Sequence, residues 1–588
     1  MPLTALRFFA LALVVSSFLL GTACSNLAVP VAHQEPAKPT PPAAQPNNDP
    51  DQNAENDTTP SAPFNAETMY SLLVGEIAGH RGRADVALNQ YVKQAHITRD
   101  KKVIARANRI ARYLGQPKET IDTALLWIEV EPNSIEAHQV AVQYYLSQGQ
   151  YETALQQMDA LLNFSDDINL DALIKNGAKL KEADRQKLIQ SLSTLRQKHP
   201  NNVQLLLAEG SLLELNRQEQ AALDLFDKAL QLKPDNIPAV IAKTRVLLKT
   251  KQTEAAKDLL AQAVEKHPDH LQLQLLYAQV LIQSGKTEQA EDQLKQLEQK
   301  NNGNEQLLLL IASLYMENNL NKQASTYLER LMDSEDFGNE AHFLQALIDE
   351  KNKQYDAALK HFNLVKPSKN FIEARIRIAH LLDKTNSLPA AVQSLENDRK
   401  NYPQLSPVFY LAQSELLCGR NQFQACYDLL NDALKAHPGN NEILYARAMA
   451  AEKNQRHDLM EQDLLTLING NPNNTAALNA LGYSLADRSQ RLDEALTYIT
   501  RAYSLEPNDA AITDSLGWVY YRQGKLSQAL QYLKKAYELT PDPEIAAHLG
   551  EVLWMNGQRE EAKVLWQDSL KKHPQSPYLQ SVLKRFPL

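Results

Sequence analysis

The sequence is poor in the residues that mark collagen-like and strand-rich chains. Its 588 residues include only 19 glycines, and aromatic residues make up only 7%. The hydrophobic share of 44% is nevertheless large enough to bury a core, which excludes a wholly disordered chain. Leu, Ala, Gln and Asn are plentiful instead. This composition predicts an all-α protein.

A strong excess of one charge is also missing. The chain has 61 Lys and Arg residues against 70 Asp and Glu residues, a formal net charge of −9, and the two signs are interspersed. Because no basic footprint is present, we expect neither DNA nor RNA as a partner.

Catalytic and cofactor-binding motifs are missing as well. The sequence has no His-Glu-x-x-His, Gly-x-Ser-x-Gly or Cys-x-x-Cys motif, and these motifs carry the chemistry of large enzyme classes. Four histidines precede a repeated proline at predicted helix ends, where they suit the helix dipole better than a metal site: His199, His267, His437 and His573. We expect no enzymatic activity, no cofactor and no metal site.

The N-terminus has the organisation of a bacterial export signal. Arg7 precedes the apolar run 8–20, which is short for a membrane span, and small residues lead to Cys24. This arrangement resembles the lipobox of bacterial lipoproteins, which implies removal of residues 1–23 and a diacylglycerol on Cys24. Gly21 stands where that family prefers Leu, so ordinary signal-peptidase cleavage after small residues is the alternative. Ser25 resembles the sorting signal for the outer membrane.

Residues 24–64 are dominated by proline and small polar residues. Nine of the forty residues 25–64 are proline, and such a composition buries too little apolar surface to offset chain entropy. We predict a disordered tether after a lipidated Cys24. The expected location is the outer membrane, facing the periplasm, with a soluble periplasmic protein as the alternative.

The remaining cysteines form an even pair. Cys418 and Cys426 flank the turn of one predicted helical hairpin. An oxidising periplasm permits a disulfide between them, and two buried thiols are the alternative.

An internal repeat of 34 residues organises the rest of the chain. Five alanines are spaced 34 residues apart: Ala222, Ala256, Ala290, Ala324 and Ala358. Prolines recur at the same period, and Pro132 to Pro574 spans 442 residues, or thirteen periods. A fixed period of this length indicates stacked helical hairpins in place of separate globular domains.

The residues in most periods match the tetratricopeptide repeat (TPR), which the chain therefore resembles, although the pattern is degenerate at 167–200 and 439–472. Its clearest copy contains Leu516, Gly517, Tyr520, Ala529, Leu533, Ala536 and Pro541. The resemblance implies an all-α superhelical solenoid of about fifteen helix-turn-helix units over residues 65–574. The best repeats lie at 473–574, and residues 575–588 form a capping segment.

In such solenoids the first helix of each repeat lines the concave surface. Offsets of three, seven and ten residues along these helices collect a candidate groove: Asn479, Tyr483, Asp514, Trp518, Tyr521, Arg522, Glu551 and Trp554. Aromatic and polar groups in a groove are typical of peptide recognition. Packing between hairpins is the alternative for Trp518 and Trp554.

A second candidate surface is basic. Arg106, Arg109 and Arg112 follow one another at three-residue spacing along a predicted helix of the second hairpin. The simplest interpretation is a solvated helix face, and binding of an acidic partner or a lipid head group is the alternative.

Two segments resemble a narrower family. Residues 84–132 include Ala-His-Ile-Thr-Arg-Asp and Leu126-Trp127, and residues 478–536 include Leu-Gly-Tyr-Ser-Leu-Ala-Asp-Arg and Asp514-Ser515-Leu516-Gly517-Trp518. Both are similar to large proteobacterial TPR lipoproteins, among them the binding partner of a periplasmic carboxyl-terminal processing protease. The resemblance implies a non-enzymatic outer-membrane adaptor that brings this protease together with peptidoglycan hydrolases. A structural assembly factor, such as a pilotin-like or polysaccharide-export lipoprotein, is the alternative.

Overall fold

The computed structural model describes residues 64–164, 170–385 and 387–586. Over these ranges the chain forms thirty-one α-helices, one short 3-10 helix at Pro403–Leu405 and no β-strand. This confirms the all-α prediction and the expected number of about fifteen helical pairs. The predicted signal peptide, Cys24 and the predicted tether up to residue 63 lie outside the described residues.

The chain divides into two compact units. The first ends at Leu320 and contains these helices: α1 (Ala66–His80), α2 (Ala84–Thr98), α3 (Lys101–Tyr113), α4 (Pro117–Val130), α5 (Ile135–Ser147), α6 (Tyr151–Leu162), α7 (Asp171–Lys179), α8 (Glu182–Lys198), α9 (Val203–Leu215), α10 (Glu219–Leu232), α11 (Ile237–Lys249), α12 (Thr253–Lys266), α13 (Leu271–Gln283), α14 (Thr287–Lys300) and α15 (Glu305–Glu317).

The second unit begins at Asn321. Its helices are α16 (Asn321–Glu329), α17 (Gly338–Lys351), α18 (Tyr355–Leu364), α19 (Phe371–Lys384), α20 (Leu388–Asn401), α21 (Ser406–Gly419), α22 (Phe423–Ala436), α23 (Asn441–Lys453), α24 (His457–Gly470), α25 (Thr475–Asp487), α26 (Leu492–Leu505), α27 (Ala510–Arg522), α28 (Leu526–Leu539), α29 (Pro543–Met555), α30 (Arg559–Lys572) and α31 (Pro577–Arg585). We name the first helix of each pair helix A and the second helix B.

Helix boundaries follow the repeat prolines. Helix α26 ends at Leu505, two residues before Pro507, and the next helix A starts after Asp509. A proline disfavours the helical conformation of the residue before it and has no N–H to continue a helix. The side chain of Asp509 then accepts the backbone N–H of Ile512 and caps α27. The same short sequence therefore stops one helix and starts the next.

Helix A and helix B of the regular pairs approach closely at a glycine. A Cβ added at Gly517 would stand 2.6 Å from Cγ of Leu533, and one at Gly550 would overlap the indole of Trp566. The same arrangement recurs in three further pairs: Gly75 with Tyr91, Gly210 with Phe226 and Gly482 with Ile499. Glycine leaves room at these positions for the large side chain of the facing helix B.

The turn between helix A and helix B contains a left-handed residue at the same position of most pairs. Six of these residues are glycine: Gly82, Gly115, Gly149, Gly285, Gly524 and Gly557. Seven others have φ between 54° and 62°: Arg217, Lys251, Asn319, Lys353, Asn421, Gln455 and Ser489. Because a side chain disfavours this conformation, helix packing and not the residue itself imposes the turn.

Buried apolar side chains form successive clusters along each unit. In the second unit one cluster extends from Leu417 to Val519 and the next from Ala529 to Val582. The alanines that revealed the repeat are fully buried, among them Ala222 and Ala256 of the first unit. Each pair therefore buries its apolar surface against its neighbours, as expected of stacked repeats.

Candidate protein-interaction surface

At the C-terminal end of the second unit, each helix A packs directly on the helix A of the next pair. Helix α25 packs on α27, α27 packs on α29, and α29 packs on the terminal helix α31. Direct contact between alternate helices shows that helices A form the inner side of this stack. We refer to the accessible edge of α25, α27, α29 and α31 as the inner A-helix face.

The eight predicted groove residues lie on three of these helices. Four of them are buried, with 4–5% of their surface exposed: Asn479, Asp514, Trp518 and Glu551. The other four are half-buried: Tyr483, Tyr521, Arg522 and Trp554. The structure thus brings the eight residues together along one row, and the half-buried four offer surface to a partner. Their role in binding stays a prediction.

Trp518 joins three helices A. Its ring stacks on His548 of α29 with centroids 4.1 Å apart, and its Nε1 donates to Oδ1 of Asp487 in α25 at 3.2 Å. His548 Nδ1 lies 2.9 Å from Oδ2 of Asp514 in α27. These contacts agree with the alternative in which Trp518 packs between hairpins and holds the row together.

Burial and three carboxylates set the charge of this cluster. Burial lowers the pKa of His548, but the charge and hydrogen bond of Asp514, with the charges of Glu544 and Asp487, raise it above its usual 6.5. Burial raises the pKa of Glu544. A protonated His548 is therefore stabilised inside an acidic cluster.

Glu551 is the centre of a second cluster. Its Oε1 accepts the hydroxyl of Tyr521 at 3.1 Å, and its Oε2 accepts Nη2 of Arg585 in α31 at 2.7 Å. Burial, followed by the charge of Glu551, raises the pKa of Tyr521 to about 12. Tyr521 therefore remains a neutral hydrogen-bond donor at neutral pH.

Trp554 keeps part of its ring accessible at the end of the row. Its ring centroid lies 6.0 Å from that of Trp566 and 5.7 Å from that of Phe586. The guanidinium of Arg559 lies 5.4 Å from the same centroid. A half-buried indole beside a cation can pack on the apolar or aromatic side chains of a bound segment.

Four residues that complete these clusters were not predicted from the sequence: Glu544, His548, Tyr578 and Arg585. Glu544 accepts the hydroxyl of Tyr483 at 3.3 Å and also the side chain of Tyr578. A usable signal was present, because Glu544, His548 and Glu551 follow one another at intervals of four and three residues, which places them on one side of a helix.

Cys418 and Cys426 lie where the sequence placed them, at the end of α21 and near the start of α22. A disulfide joins them, with the two Cα atoms 5.6 Å apart. It ties helix A to helix B of a single pair.

The predicted basic patch lies on α3 of the first unit. Arg106 is 3.3 Å from Glu76, and Arg109 and Arg112 are 3.4 Å and 3.6 Å from Glu136. Exposed pairs of this kind contribute little to stability. The partial neutralisation agrees with a solvated helix face, and an acidic partner stays a prediction.

Two kinds of feature are absent from the described residues. No helix in these ranges is long and apolar enough to cross a membrane. No group of three or more His, Cys, Asp or Glu side chains in the same ranges is placed to hold a metal ion. The predicted lipidation site, Cys24, is not among these residues.

Comparison with known proteins identifies the class. The tetratricopeptide repeat family model matches residues 213–280, 251–306, 281–348 and 520–586. The TPR repeat-containing protein PA4667 of Pseudomonas aeruginosa is 42% identical over 490 residues, which cover 83% of this chain and 82% of that protein. The chain therefore belongs to the bacterial TPR proteins, a family of repeats that generally serve as non-catalytic scaffolds for protein–protein interaction.

Solved structures share parts of the array. A thermophilic TPR protein of Thermus thermophilus, TTC0263, is 25% identical, covers 30% of this chain and 98% of its own, and has a TM-score of 0.28. YrrB, described as a TPR protein with an unusual peptide-binding site, is 24% identical, covers 30% and 91% of the two chains, and has a TM-score of 0.24. Both likenesses are therefore confined to less than a third of this chain.

Proposed function

We propose that the protein is a lipid-anchored scaffold of the outer membrane that binds a carboxyl-terminal processing protease and peptidoglycan hydrolases in the periplasm. It has no catalytic role of its own and needs no cofactor. Residues 1–23 direct export and Cys24 carries the lipid. The export signal and the resemblance of residues 84–132 and 478–536 to TPR lipoproteins support this location and these partners.

The inner A-helix face is the observation that carries the binding role. Tyr483, Tyr521, Arg522 and Trp554 lie half-buried along three successive helices, and rigid aromatic side chains with adjacent charges are favoured at binding hot spots. Three of their buried neighbours, Trp518, Asp514 and Glu551, are hydrogen-bonded to Asp487, His548 and Arg585, so this part of the row is preorganised before a partner arrives.

A scaffold accelerates proteolysis without chemistry of its own. When one array holds both protease and substrate, their encounter becomes intramolecular, and its effective concentration is on the order of millimolar for short connections. The rate then depends on simultaneous binding and is lost when either partner is released.

The direct test is recovery of partners from an envelope extract with the full lipidated chain. We expect mass spectrometry to identify a carboxyl-terminal processing protease and at least one cell-wall hydrolase. Recovery of a secretin or an export channel in their place would favour the assembly-factor alternative and overturn the proposal.

A pair of arginine variants locates the binding face. Arg522→Glu changes the half-buried guanidinium that lies 5.7 Å from the ring centroid of Trp518, and we expect it to reduce partner recovery. Arg501→Glu changes an exposed arginine on the adjacent helix B, α26, and serves as the matched control. Equal loss in both variants would argue against the inner A-helix face.

Reconstitution completes the test. Purified protease should cleave a purified hydrolase faster when the chain is added, and the rate should fall again at a large excess of chain, because the two partners then occupy different scaffolds. Hydrolytic activity of the chain alone would contradict its assignment as a non-enzyme.

A further inference from the structure

The first helix of the first unit presents an apolar face to solvent. Met69, Tyr70, Leu73 and Ile77 are 57%, 69%, 58% and 42% exposed. Their spacing places them on one side of α1, while Gly75 on the other side packs against α2. We name these four residues the N-terminal apolar face. An exposed apolar cluster of this kind usually marks a binding surface.

The segment that contains this face has an excess of Lys and Arg residues, although Arg99, Arg109 and Arg112 pair with Glu129 and Glu136 further along the chain. Residues 64–116 contain nine Lys and Arg residues and four Asp and Glu residues, a net charge of +5, whereas the whole chain has a net charge of −9. Exposed Arg81 directly follows α1. The chain thus combines exposed apolar residues and positive charge in the part of the array nearest its N-terminus.

We propose that the N-terminal apolar face binds an anionic phospholipid surface. Apolar side chains on one side of a helix insert between lipid head groups, and nearby Lys and Arg residues are attracted to anionic lipids. A second copy of the chain is the other occupant, and the test below distinguishes it from a lipid surface.

The position of the face in the chain supports a lipid surface over a soluble acidic protein. Only 41 residues separate Cys24 from Ala66 at the start of α1. This step rests on the proposed lipid anchor at Cys24, which would keep the face near the bilayer. A contact that is weak in free solution is then sufficient, because the anchor makes it intramolecular.

The test uses the chain from residue 24 onward with Cys24→Ser, so that no lipid anchor contributes. Its binding is measured by co-sedimentation with phosphatidylethanolamine vesicles, with and without phosphatidylglycerol. We expect it to bind the vesicles that contain phosphatidylglycerol and to be released by high salt, because screening weakens the electrostatic part.

Two variants assign the binding to the face. Leu73→Glu with Ile77→Glu should lower the bound fraction about tenfold, because both side chains leave the lipid and add negative charge. Arg81→Glu should lower it less. Val564→Glu, at a residue of the second unit that is 57% exposed, is the matched control and should bind like the parent. Circular dichroism verifies that all variants keep their helices.

Three results would overturn the inference. They are failure of the parent to bind phosphatidylglycerol vesicles, equal binding by the Leu73→Glu and Ile77→Glu variant, and equal loss in the Val564→Glu control. Self-association of the parent that the double variant abolishes, without vesicle binding, would assign the face to a second copy. None of these results affects partner recovery by the lipidated chain, so the proposed scaffold function is tested separately.

Discussion

The first and last helical pairs have the same glycine contact between helix A and helix B, but within the part of the chain that the structure describes only the last pair is covered on its outer side by a further helix. Gly75 packs under Tyr91 in the first pair, and Gly550 packs under Trp566 in the last. After the last pair, α31 buries Val582 at 1% exposure. Among the described residues no helix precedes α1, and its outer side is the exposed N-terminal apolar face. The glycine contact therefore packs the two helices of a pair together, whereas burying the outer apolar side of the terminal pair requires an additional segment.

Removing the closing segment should have the largest effect. A chain that stops at residue 574 loses the buried side chains of Leu579 and Val582, each worth roughly 1.5–3 kcal/mol. We expect α29 and α30 to lose about 3–6 kcal/mol of local stability, measured as hydrogen-exchange protection. Hydrogen-exchange protection of α29 and α30 equal to that of the full chain would show that the last pair is stable without the terminal segment.

Adding a side chain at the glycine contact should lower stability less than removing the terminal segment does. Gly550→Ala places a methyl group in the indole of Trp566, and we expect a loss of about 1–3 kcal/mol in denaturant unfolding, as for other overpacked cores. Gly79→Ala of the first pair is the matched control, because its Cβ would meet only the Ala87 methyl at 3.9 Å. That substitution should be neutral or slightly stabilising.

The two ends should respond to pH in opposite directions. The folded pKa of His548 is raised by Asp514 and other carboxylates against the effect of burial, so its stabilising contribution is complete below pH 6.5 and is lost as the pH rises through the folded pKa. Burial raises the pKa of Glu544. Ionisation of this buried carboxyl therefore also lowers the stability of the fold as the pH rises. We therefore expect the last pairs to be less protected at mildly alkaline pH than near pH 6.

The pKa of Glu76 in the first pair is shifted in the opposite direction. The hydrogen bond from Tyr91 and the charge of Arg106 lower its pKa despite partial burial. Its contribution is present above its usual pKa near 4.5 and is lost as the pH falls through the lowered value. Hydrogen exchange of α2 and α29, corrected for intrinsic rates, measures both responses, and His548→Gln should remove most of the alkaline effect. Parallel responses at both ends would contradict this account.

The smallest effect is expected at the N-terminal apolar face. Leu73→Ser with Ile77→Ser changes two residues that are 58% and 42% exposed. The free energy of unfolding, followed through the melting temperature, should therefore change by no more than about 0.5 kcal/mol per site. A much larger loss would show that this face is covered in the folded chain and would remove the contrast between the two ends.

Most of the fold could be predicted from the sequence because its determinants are local. The proline after most helices B, the capping residue that follows and the glycine opposite a large side chain all lie within one 34-residue period. Where the motif is weak, as at 167–200, helices α7 and α8 still occur in phase. The division at Leu320 had no comparable local signal.

The site was predictable only in part because burial depends on contacts between distant segments. The offsets placed Asp514, Trp518 and Glu551 on the correct helices. They could not show that α27 packs so closely on α25 and α29 that these side chains are covered. His548 and Arg585 were missed for the same reason, since each acquires its role from a partner about 34 residues away.

The left-handed turn residues leave room for engineering. Seven turns place an ordinary side chain, such as Lys251 or Gln455, at a backbone angle that glycine adopts freely. Each L-residue there is disfavoured by about 1–2 kcal/mol, and the looser unfolded chain of a glycine offsets part of that difference. Glycine at Lys251 or Gln455 should therefore give a more stable array in which the residues of the inner A-helix face are unchanged.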